Sequence, residues 1–277
     1  MSRPTRRFSL AALTVIELSP PEMVSAAAAA GFQHVGLRLI PATPEERTYP
    51  VIGATPMVRE IRQHLKDEDV TVLDVEVFRL KPETRVQDFL PAIETAASLG
   101  AKNLLTTGQD PDTDRLADRF AELCGIAQRF AMSADLEFMP WTEIDSITKA
   151  SALLTKAGCG NGGLVVDALH FHRTKASLAD LHAVPRKWLH FAQLCDAPAT
   201  PPATMEALIH QARNARLLPG QGGLDLVSFV RALPEDLPIS VEIPNAELAK
   251  SMTAVDRACA ALQAARDVVS IAGSAGD

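Results

Sequence analysis

Short apolar runs alternate with amphipathic, alanine-rich segments along this 277-residue chain. Strands that are connected through helices pair in parallel, because each helix returns the chain to the same edge of the sheet. Eight such strand candidates predict an α/β fold, a single (β/α)8 TIM barrel over residues 1–277. The strand candidates are Phe8–Val15, Val35–Leu39, Val70–Phe78, Asn103–Thr106, Asp135–Met139, Leu164–Asp167, His190–Leu194 and Ile239–Ile243.

Capping residues predict where several helices begin and end. Ser19 and two prolines open a helix that runs to Ala30, and Gly31 closes it, since proline suits the first helical turn and glycine the position after the last. Thr55 and Pro56 open the second helix in the same way. The other predicted helices are Glu83–Leu99, Thr113–Phe130, one capped by Thr142 that runs to about Lys156, a short one after Ser177, Pro202–Leu217, Asp225–Leu233 and Asn245–Ser270.

Composition argues against several classes of partner. The 27 basic and 34 acidic residues give a net charge of −7, whereas a nucleic-acid-binding protein usually carries a basic excess. No apolar run approaches the roughly 20 residues that span a bilayer, and no signal-peptide segment follows Arg3, Arg6 and Arg7. We therefore expect a cytoplasmic protein with a small-molecule substrate and no nucleic-acid or membrane partner. The four cysteines form no Cys-x-x-Cys pair and are expected to be reduced and mostly buried.

Four polar residues stand near the C-terminal ends of the last four strand candidates: Glu137, Asp167, Gln193 and Glu242. In a TIM barrel these strand ends meet at the rim that carries the active site. Three carboxylates and an amide brought together there would repel one another without a divalent cation, and oxygen ligands favour Mg2+, Mn2+ or, where available, Co2+. A single acid at a strand end is as often a helix cap or a salt-bridge partner. Four on consecutive strands are better explained by a metal site.

Short motifs surround these residues. Asp167–Arg173 looks like an Asp-x-x-His-x-x-Arg motif, Gln193–Ala197 like a ligand-x-x-Asp-Ala motif, and Leu218–Asp225 contains a Pro-Gly-x-Gly loop. Together with Glu242 they resemble the xylose isomerase-like barrel superfamily, which holds sugar isomerases and epimerases, inosose dehydratase, 3-dehydroshikimate dehydratase, hydroxypyruvate isomerase and endonuclease IV. The resemblance implies that the four candidates bind a metal, that both glutamates also transfer protons, and that His170 faces the substrate.

Many members of that superfamily have histidine where this chain has Gln193. A neutral amide oxygen leaves the site richer in oxygen, and this departure resembles the hydroxypyruvate isomerase and 3-dehydroshikimate dehydratase branches. It counts against endonuclease IV, which needs additional histidine ligands and a basic face for DNA.

Four further residues are candidates for substrate binding. Arg38 and Glu76, near the ends of the second and third strands, would contact a substrate carboxylate or hydroxyls, or else form a salt bridge with each other. Trp141 would form a wall of the pocket or pack within a loop. Arg173 would contact a substrate anion or pair with Asp196.

These expectations describe a metal-dependent isomerase or epimerase of a keto-sugar or related hydroxyketone. A metal that chelates the carbonyl and a neighbouring hydroxyl acidifies the C–H bond alpha to the carbonyl, and a carboxylate or His170, with an ordinary pKa of about 6.5, takes the proton. If a β-hydroxyl leaves instead, the enzyme is a dehydratase of the 3-dehydroshikimate or inosose type, which is the alternative function. A barrel without activity is disfavoured because all four ligands and His170 are present. Phosphorylation of the substrate and assembly into a homo-oligomer stay open.

Overall fold

The computed structural model describes residues 6–274, and in it eight parallel strands close into a barrel. The strands pair in sequence order, and the last pairs with the first. The predicted (β/α)8 TIM barrel is confirmed. The strands are β1 Phe8–Leu10, β2 His34–Arg38, β3 Thr71–Leu80, β4 Asn103–Gly108, β5 Ser133–Glu137, β6 Gly162–Asp167, β7 Ala192–Leu194 and β8 Ile239–Val241.

Helices connect the strands and cover the outside of the barrel. They are α1 Pro20–Ala30, α2 Pro56–Asp67, α3 Leu90–Ser98, α4 Thr113–Gln128, α5 Ile147–Ala157, α6 Ala168–Arg173, α7 Leu178–His182, α8 Met205–Asn214, α9 Leu226–Ala232, α10 Ala246–Ser251 and α11 Ala254–Ser274. Within residues 6–274, no helix is long and apolar enough to cross a membrane. Arg3, considered above with Arg6 and Arg7, lies outside the described residues.

The predicted caps position the first two helices. The backbone N–H and the hydroxyl of Ser19 bond to Glu22 Oε2 at 2.8 and 2.6 Å, as in a capping box. Gly31 ends α1 with a φ of 88°, a left-handed conformation that glycine adopts at little cost. Thr55 Oγ1 accepts the Val58 N–H at 3.2 Å at the start of α2. These bonds are local in sequence, which is why both starts were predictable.

The predicted start of the fifth helix was wrong. Thr142 Oγ1 lies 3.0 Å from the Met139 carbonyl oxygen and 2.9 Å from that of Ile144, within a turn. Ser146 caps α5 instead, and its hydroxyl accepts the Lys149 N–H at 3.2 Å. The helix therefore begins four residues after the position expected from the sequence, because the Thr142 hydroxyl is used inside the turn.

The long helix predicted over Asn245–Ser270 is divided into two helices. Met252 has an extended backbone, with φ −129° and ψ 146°, and Thr253 Oγ1 then accepts the Asp256 N–H at 3.1 Å to start α11. The first strand also ends early, at Leu10, because a 3-10 turn forms over Ala12–Val15. The region Glu83–Leu99 likewise begins with a 3-10 turn and becomes α-helical only at Leu90.

Parallel register brings the predicted ligands to one rim. Glu137 and Asp167 are the last residues of their strands, Gln193 is the register partner of Asp167, and the Glu242 N–H donates to the Leu194 carbonyl oxygen at 3.1 Å. Side chains alternate along a strand, so residues two positions earlier face the same way one layer lower. A small apolar cluster lies inside the barrel: Leu73, Val77, Leu105, Val165 and Phe191. The layer beneath the site therefore combines apolar side chains such as Val165 and Phe191 with the buried polar residues Asp135 and Ser240.

Candidate metal centre

Three carboxylates converge at the C-terminal rim of the barrel. Glu137, Asp167 and Glu242 each offer one oxygen, and these oxygens all lie within 4.8 Å of one another. The three residues are buried, with 6%, 0% and 4% of their surface exposed. Because they come from three different strands, the closed barrel itself fixes this spacing, which lets one cation contact all three.

Gln193, the fourth residue predicted as a ligand, lies next to Asp167 in the sheet as its register partner. Gln193 is 2% exposed, and its Oε1 atom has no hydrogen-bond partner among residues 6–274. A buried polar atom without a partner costs about 1–3 kcal/mol, and a cation beside the Asp167 carboxylate would satisfy it. The donor set of three carboxylates and one amide oxygen therefore fits a hard divalent ion.

Arg216 also enters this centre and was not predicted. Its guanidinium donates from Nη1 to Asp167 Oδ2 at 2.6 Å, and its Nη2 forms an ion pair with Glu242 Oε2 at 2.8 Å. One guanidinium beside three carboxylates leaves two negative charges, the charge that one divalent cation neutralises. The only sequence signal was an arginine just before the Pro-Gly-x-Gly loop, and Asp167 lies 49 residues away.

The pKa values of the carboxyl groups reflect this crowding. Burial and the charges of Glu242 and Asp167 raise the pKa of Glu137 well above its usual range. Burial, against the opposing charge of Arg216, together with Glu76 and Asp167 raises the pKa of Glu242 to about 7. Burial also favours a higher pKa for Asp167, but Arg216 and His170 together outweigh it and lower that pKa. A cation among the three would relieve the repulsion behind the two raised values.

His170 lies beside the centre on α6. Its backbone N–H donates to Asp167 Oδ1 at 2.9 Å. In the ring, Nε2 is 3.8 Å from Glu137 Oε1, and Nδ1 has no partner among the described residues. The ring meets Trp141 edge to face, with centroids 5.0 Å apart. Burial lowers the pKa of His170 to about 4, so the expectation of an ordinary pKa near 6.5 was wrong and the ring is neutral at pH 7.

A cavity of about 360 Å³ opens onto this centre. That volume suits a small molecule. Glu137, Glu242, His170 and Arg216 line it, and Trp141 forms part of its wall. The structure thus brings both predicted proton-transfer glutamates, the predicted histidine and the predicted tryptophan to one space.

Arg38 and Glu76 line the same cavity and also pair with each other. Arg38 Nη2 lies 3.4 Å from Glu76 Oε2, and Arg38 Nη1 donates to Glu46 Oε1 at 2.9 Å. Glu76 Oε1 has no partner among residues 6–274. Both interpretations of this pair apply: the two residues form a salt bridge, and they face the space where a substrate would lie.

Arg173 lies away from the cavity. Its Nε donates to Gln211 Oε1 at 2.9 Å and its Nη2 to the Pro198 carbonyl at 2.7 Å. Asp196 Oδ2, its other predicted partner, instead accepts the N–H groups of Gly220 and Gly222, each at 2.9 Å. Arg173 therefore helps to hold the outer loops, and Asp196 orders the Pro-Gly-x-Gly loop.

A model of the xylose isomerase-like TIM barrel family matches residues 24–266. The chain belongs to this family. Inosose isomerase of Bacillus subtilis is 27% identical over 199 residues, 67% of this chain and 69% of that protein. A 3-dehydroshikimate dehydratase of Pseudomonas aeruginosa is 24% identical over 242 residues, 81% of this chain and 36% of that protein.

Solved structures show the same fold. The crystal structure of IolI protein with a bound zinc atom superposes with a TM-score of 0.80 at 22% identity and covers 97% of this chain and 99% of that one. The resemblance seen in the sequence motifs is confirmed at the level of the family and the fold.

Proposed function

We propose that the protein is a divalent-metal-dependent isomerase or epimerase of a hydroxyketone. The observation that carries this proposal is the convergence of three carboxylates and the unbonded Gln193 oxygen below a cavity of small-molecule size. The similarity to inosose isomerase, which is named for a cyclic ketone, supports the same class of substrate. Mg2+, Mn2+ or Co2+ suits the oxygen-rich donor set.

Glu137, Asp167, Gln193 and Glu242 would hold the ion. When bound, the ion would supply Lewis-acid polarisation of the substrate carbonyl and so acidify the neighbouring C–H bond. Arg216 would keep the two carboxylates in place through its hydrogen bond to Asp167 and its ion pair with Glu242, and the burial of these residues keeps the site largely away from bulk water.

Glu137 and Glu242 would move the proton. Both carboxyl groups line the cavity, so a substrate held there would lie within reach of either one. Their raised pKa values belong to the metal-free site, and a bound cation would lower them towards the range in which a carboxylate accepts a proton. One glutamate removes the proton alpha to the carbonyl and the other returns it, either to the neighbouring carbon or to the opposite face.

His170 has a different role in this scheme. Since burial keeps its ring neutral, it acts as a hydrogen-bond donor to a substrate oxygen rather than as a cation. Its Nδ1 has no protein partner among residues 6–274, and Trp141 fixes the ring orientation. A neutral donor stabilises negative charge that develops on oxygen during proton removal.

A dehydratase is the second candidate, and the match to 3-dehydroshikimate dehydratase over 81% of the chain favours it. The first step is the same, but a β-hydroxyl then leaves with a proton from the same glutamates. A panel of ketoses, inososes and 3-dehydroshikimate, incubated with metal-loaded protein in D2O and followed by NMR, separates the two reactions.

Deuterium at the alpha carbon without an alkene signal supports the isomerase or epimerase, and a new alkene signal supports the dehydratase. The Asp167→Asn variant serves as the control for background exchange. Exchange no faster than with this variant, for every compound, would overturn both functions.

A further inference from the structure

Four arginines line the cavity: Arg38, Arg79, Arg213 and Arg216. Arg38 and Arg216 are paired with carboxylates, as described above. The side chains of Arg79 and Arg213 have no hydrogen bond or ion pair with any residue in the described part of the chain, 6–274, and Arg79 Nε is a buried atom without a partner. A buried donor normally finds an acceptor, so the Arg79 Nε atom needs an explanation, whereas the exposed Arg213 side chain is free to bond to water.

Both unpaired arginines lie at the outer part of the cavity. Arg79 stands next to the end of β3 and also lines the open groove beside the cavity. Arg213 is an exposed residue in the last turn of α8. Burial, followed by the positive charges of Arg213 and Arg38, lowers the pKa of Arg79. Two guanidinium groups close enough to repel each other therefore share one opening.

The nearby acids are already engaged. Glu46 accepts two hydrogen bonds from Arg38 Nη1, at 2.9 and 3.2 Å, and one from the Ala42 N–H. Glu76 is turned towards Arg38. Neither glutamate forms a hydrogen bond or ion pair with Arg79 or Arg213, although the charge of Glu46 opposes the lowering of the Arg79 pKa. An anionic ligand would supply the acceptor that the buried Arg79 Nε atom lacks.

The charges of the cavity fall into two zones. In the inner zone, Arg216 and a divalent ion would balance the three carboxylates. In the outer zone, Arg38, Arg79 and Arg213 carry three positive charges against the two negative charges of Glu46 and Glu76, so one positive charge is left over. Guanidinium groups present paired N–H donors that match the oxygens of carboxylate and phosphate groups.

We propose that Arg79 and Arg213 form a subsite for an anionic group of the substrate, a carboxylate or a phosphate. The substrate is then an anionic hydroxyketone whose ketone end faces the metal centre and whose anion faces the cavity mouth. This inference rests on the proposed function, since it takes the metal centre as the position of the ketone.

Two matched pairs of probes test the subsite with metal-loaded protein: fructose against fructose 6-phosphate, and the methyl ester of 3-dehydroshikimate against 3-dehydroshikimate. Calorimetry should give a Kd at least about tenfold lower for the anionic member of one pair, since hydrogen bonds between ionised groups are about twice as strong as neutral ones. The pair that shows the preference identifies the phosphate or the carboxylate. The preference should weaken in 0.5 M salt.

Arg79→Gln and Arg213→Gln should each reduce this preference, and the double variant should abolish it, with the Kd of the neutral member unchanged. Arg62→Gln, on the exposed side of α2, is the matched control and should keep the preference. Metal content and the thermal midpoint of each variant show that the fold and the metal centre are intact.

Equal Kd values within both pairs, binding of none of the four compounds, or a preference that survives in the double variant would each overturn the subsite. Because binding is measured without turnover, this result is independent of the exchange experiment. An anionic preference without deuterium exchange would retain the subsite and contradict the proposed reaction. Deuterium exchange with neutral hydroxyketones alone would support the proposed reaction and contradict the anionic subsite.

Discussion

Two clusters of polar side chains lie at successive levels of the barrel, and they differ in how completely their hydrogen bonds are satisfied. The rim cluster comprises Glu137, Asp167, His170, Gln193 and Glu242. The floor cluster comprises Asn103, Ser133, Asp135 and His190. The two meet on β5, where Asp135 and Glu137 are two residues apart and face the same way.

The floor cluster is fully bonded. Asp135 Oδ1 lies 2.5 Å from His190 Nδ1, and Asp135 Oδ2 lies 2.5 Å from Ser133 Oγ. Asn103 Nδ2 donates to the Leu73 carbonyl at 2.7 Å. Every buried polar side-chain atom of this cluster has a partner. Gly163 provides the room, because a Cβ there would clash with both Asp135 and His190.

The rim cluster is incomplete by contrast. Gln193 Oε1 and His170 Nδ1 have no partner within residues 6–274, and three carboxylates share one guanidinium. A complete polar cluster stabilises the fold, whereas an incomplete one, lying below a cavity, indicates a missing ligand. The two clusters should therefore respond to mutation in opposite ways.

The largest expected effect is at the rim. Glu242→Gln keeps an acceptor for Arg216 but removes one negative charge, so bound metal should be lost and turnover should fall on the order of 10³-fold or more. The free energy of unfolding of the metal-free protein should stay the same or rise, since repulsion between carboxylates is relieved. Metal analysis, steady-state kinetics and urea unfolding measure the three quantities. Full stoichiometric metal in the variant would contradict the assignment.

The floor should show the reverse behaviour. Asp135→Asn leaves His190 without a charged partner. Because the His190 side chain is 28% exposed, the loss should be that of a hydrogen bond to a charged group, about 2 kcal/mol of unfolding free energy. Turnover per folded molecule and metal content should be unchanged. Ser133→Ala, which removes one hydrogen bond to the same carboxylate, is the matched control and should cost about 1 kcal/mol. Loss of metal without loss of stability in Asp135→Asn would show that the two clusters are not independent.

His170 tests whether an unbonded rim atom serves catalysis. His170→Ala should keep the metal and lose on the order of 10²-fold in turnover, the usual scale for a residue that assists proton transfer. His172→Ala is the control on the same helix. The His172 ring bonds to the Ala168 carbonyl at 2.7 Å, so this variant should leave turnover nearly unchanged. If His170→Ala retains metal and more than about a third of wild-type turnover, far less loss than that scale, His170 is a packing residue.

The Gln193→His substitution tests whether the Gln193 side chain contributes to a metal site at the rim. Gln193→His replaces an oxygen donor by nitrogen, so selectivity should shift several-fold towards Zn2+ or Co2+ and away from Mg2+. Competition between metals, read by elemental analysis, measures this shift, with Gln211→His outside the rim cluster as the control. Unchanged selectivity would indicate that the Gln193 side chain does not contact the ion.

The convergence of the rim carboxylates was predictable because each places an oxygen where the apolar pattern of a buried strand should continue. Such a break is visible in one strand without knowledge of its neighbours. Asp135 interrupts its strand in the same way, yet its partner His190 lies 55 residues away, and only the closed barrel brings them together. Periodicity therefore located polar residues in the interior but did not separate structural from functional ones.

The environments of three arginines were not predictable from their neighbours in the sequence. Arg173 follows a motif and was expected near the substrate, but the short helix α6 directs it to Gln211 on α8. Arg216 and Arg79 have no local signature, since their environments come from elements far away in sequence. Their positions depend on how the loops cross the barrel rim, which helix and strand patterns do not encode.

The smallest predicted effect is a pH dependence that arises at the floor. Burial and the charge of Arg186 lower the pKa of His190, but its bond to Asp135 outweighs them and raises that pKa above the ordinary value. A raised histidine pKa gives stability that is fully present below about pH 6.5 and is lost as the pH rises through the folded-state pKa. Urea unfolding of metal-free protein between about pH 5.5 and 9 should therefore show stability falling with pH.

Glu242, with a pKa of about 7, contributes a slope of the same sign, so the wild-type curve alone does not separate floor from rim. His190→Gln keeps the Glu242 slope and removes only that of His190, so the two curves should converge at high pH. Parallel curves would show that His190 is not protonated in the folded protein and that the floor cluster is neutral.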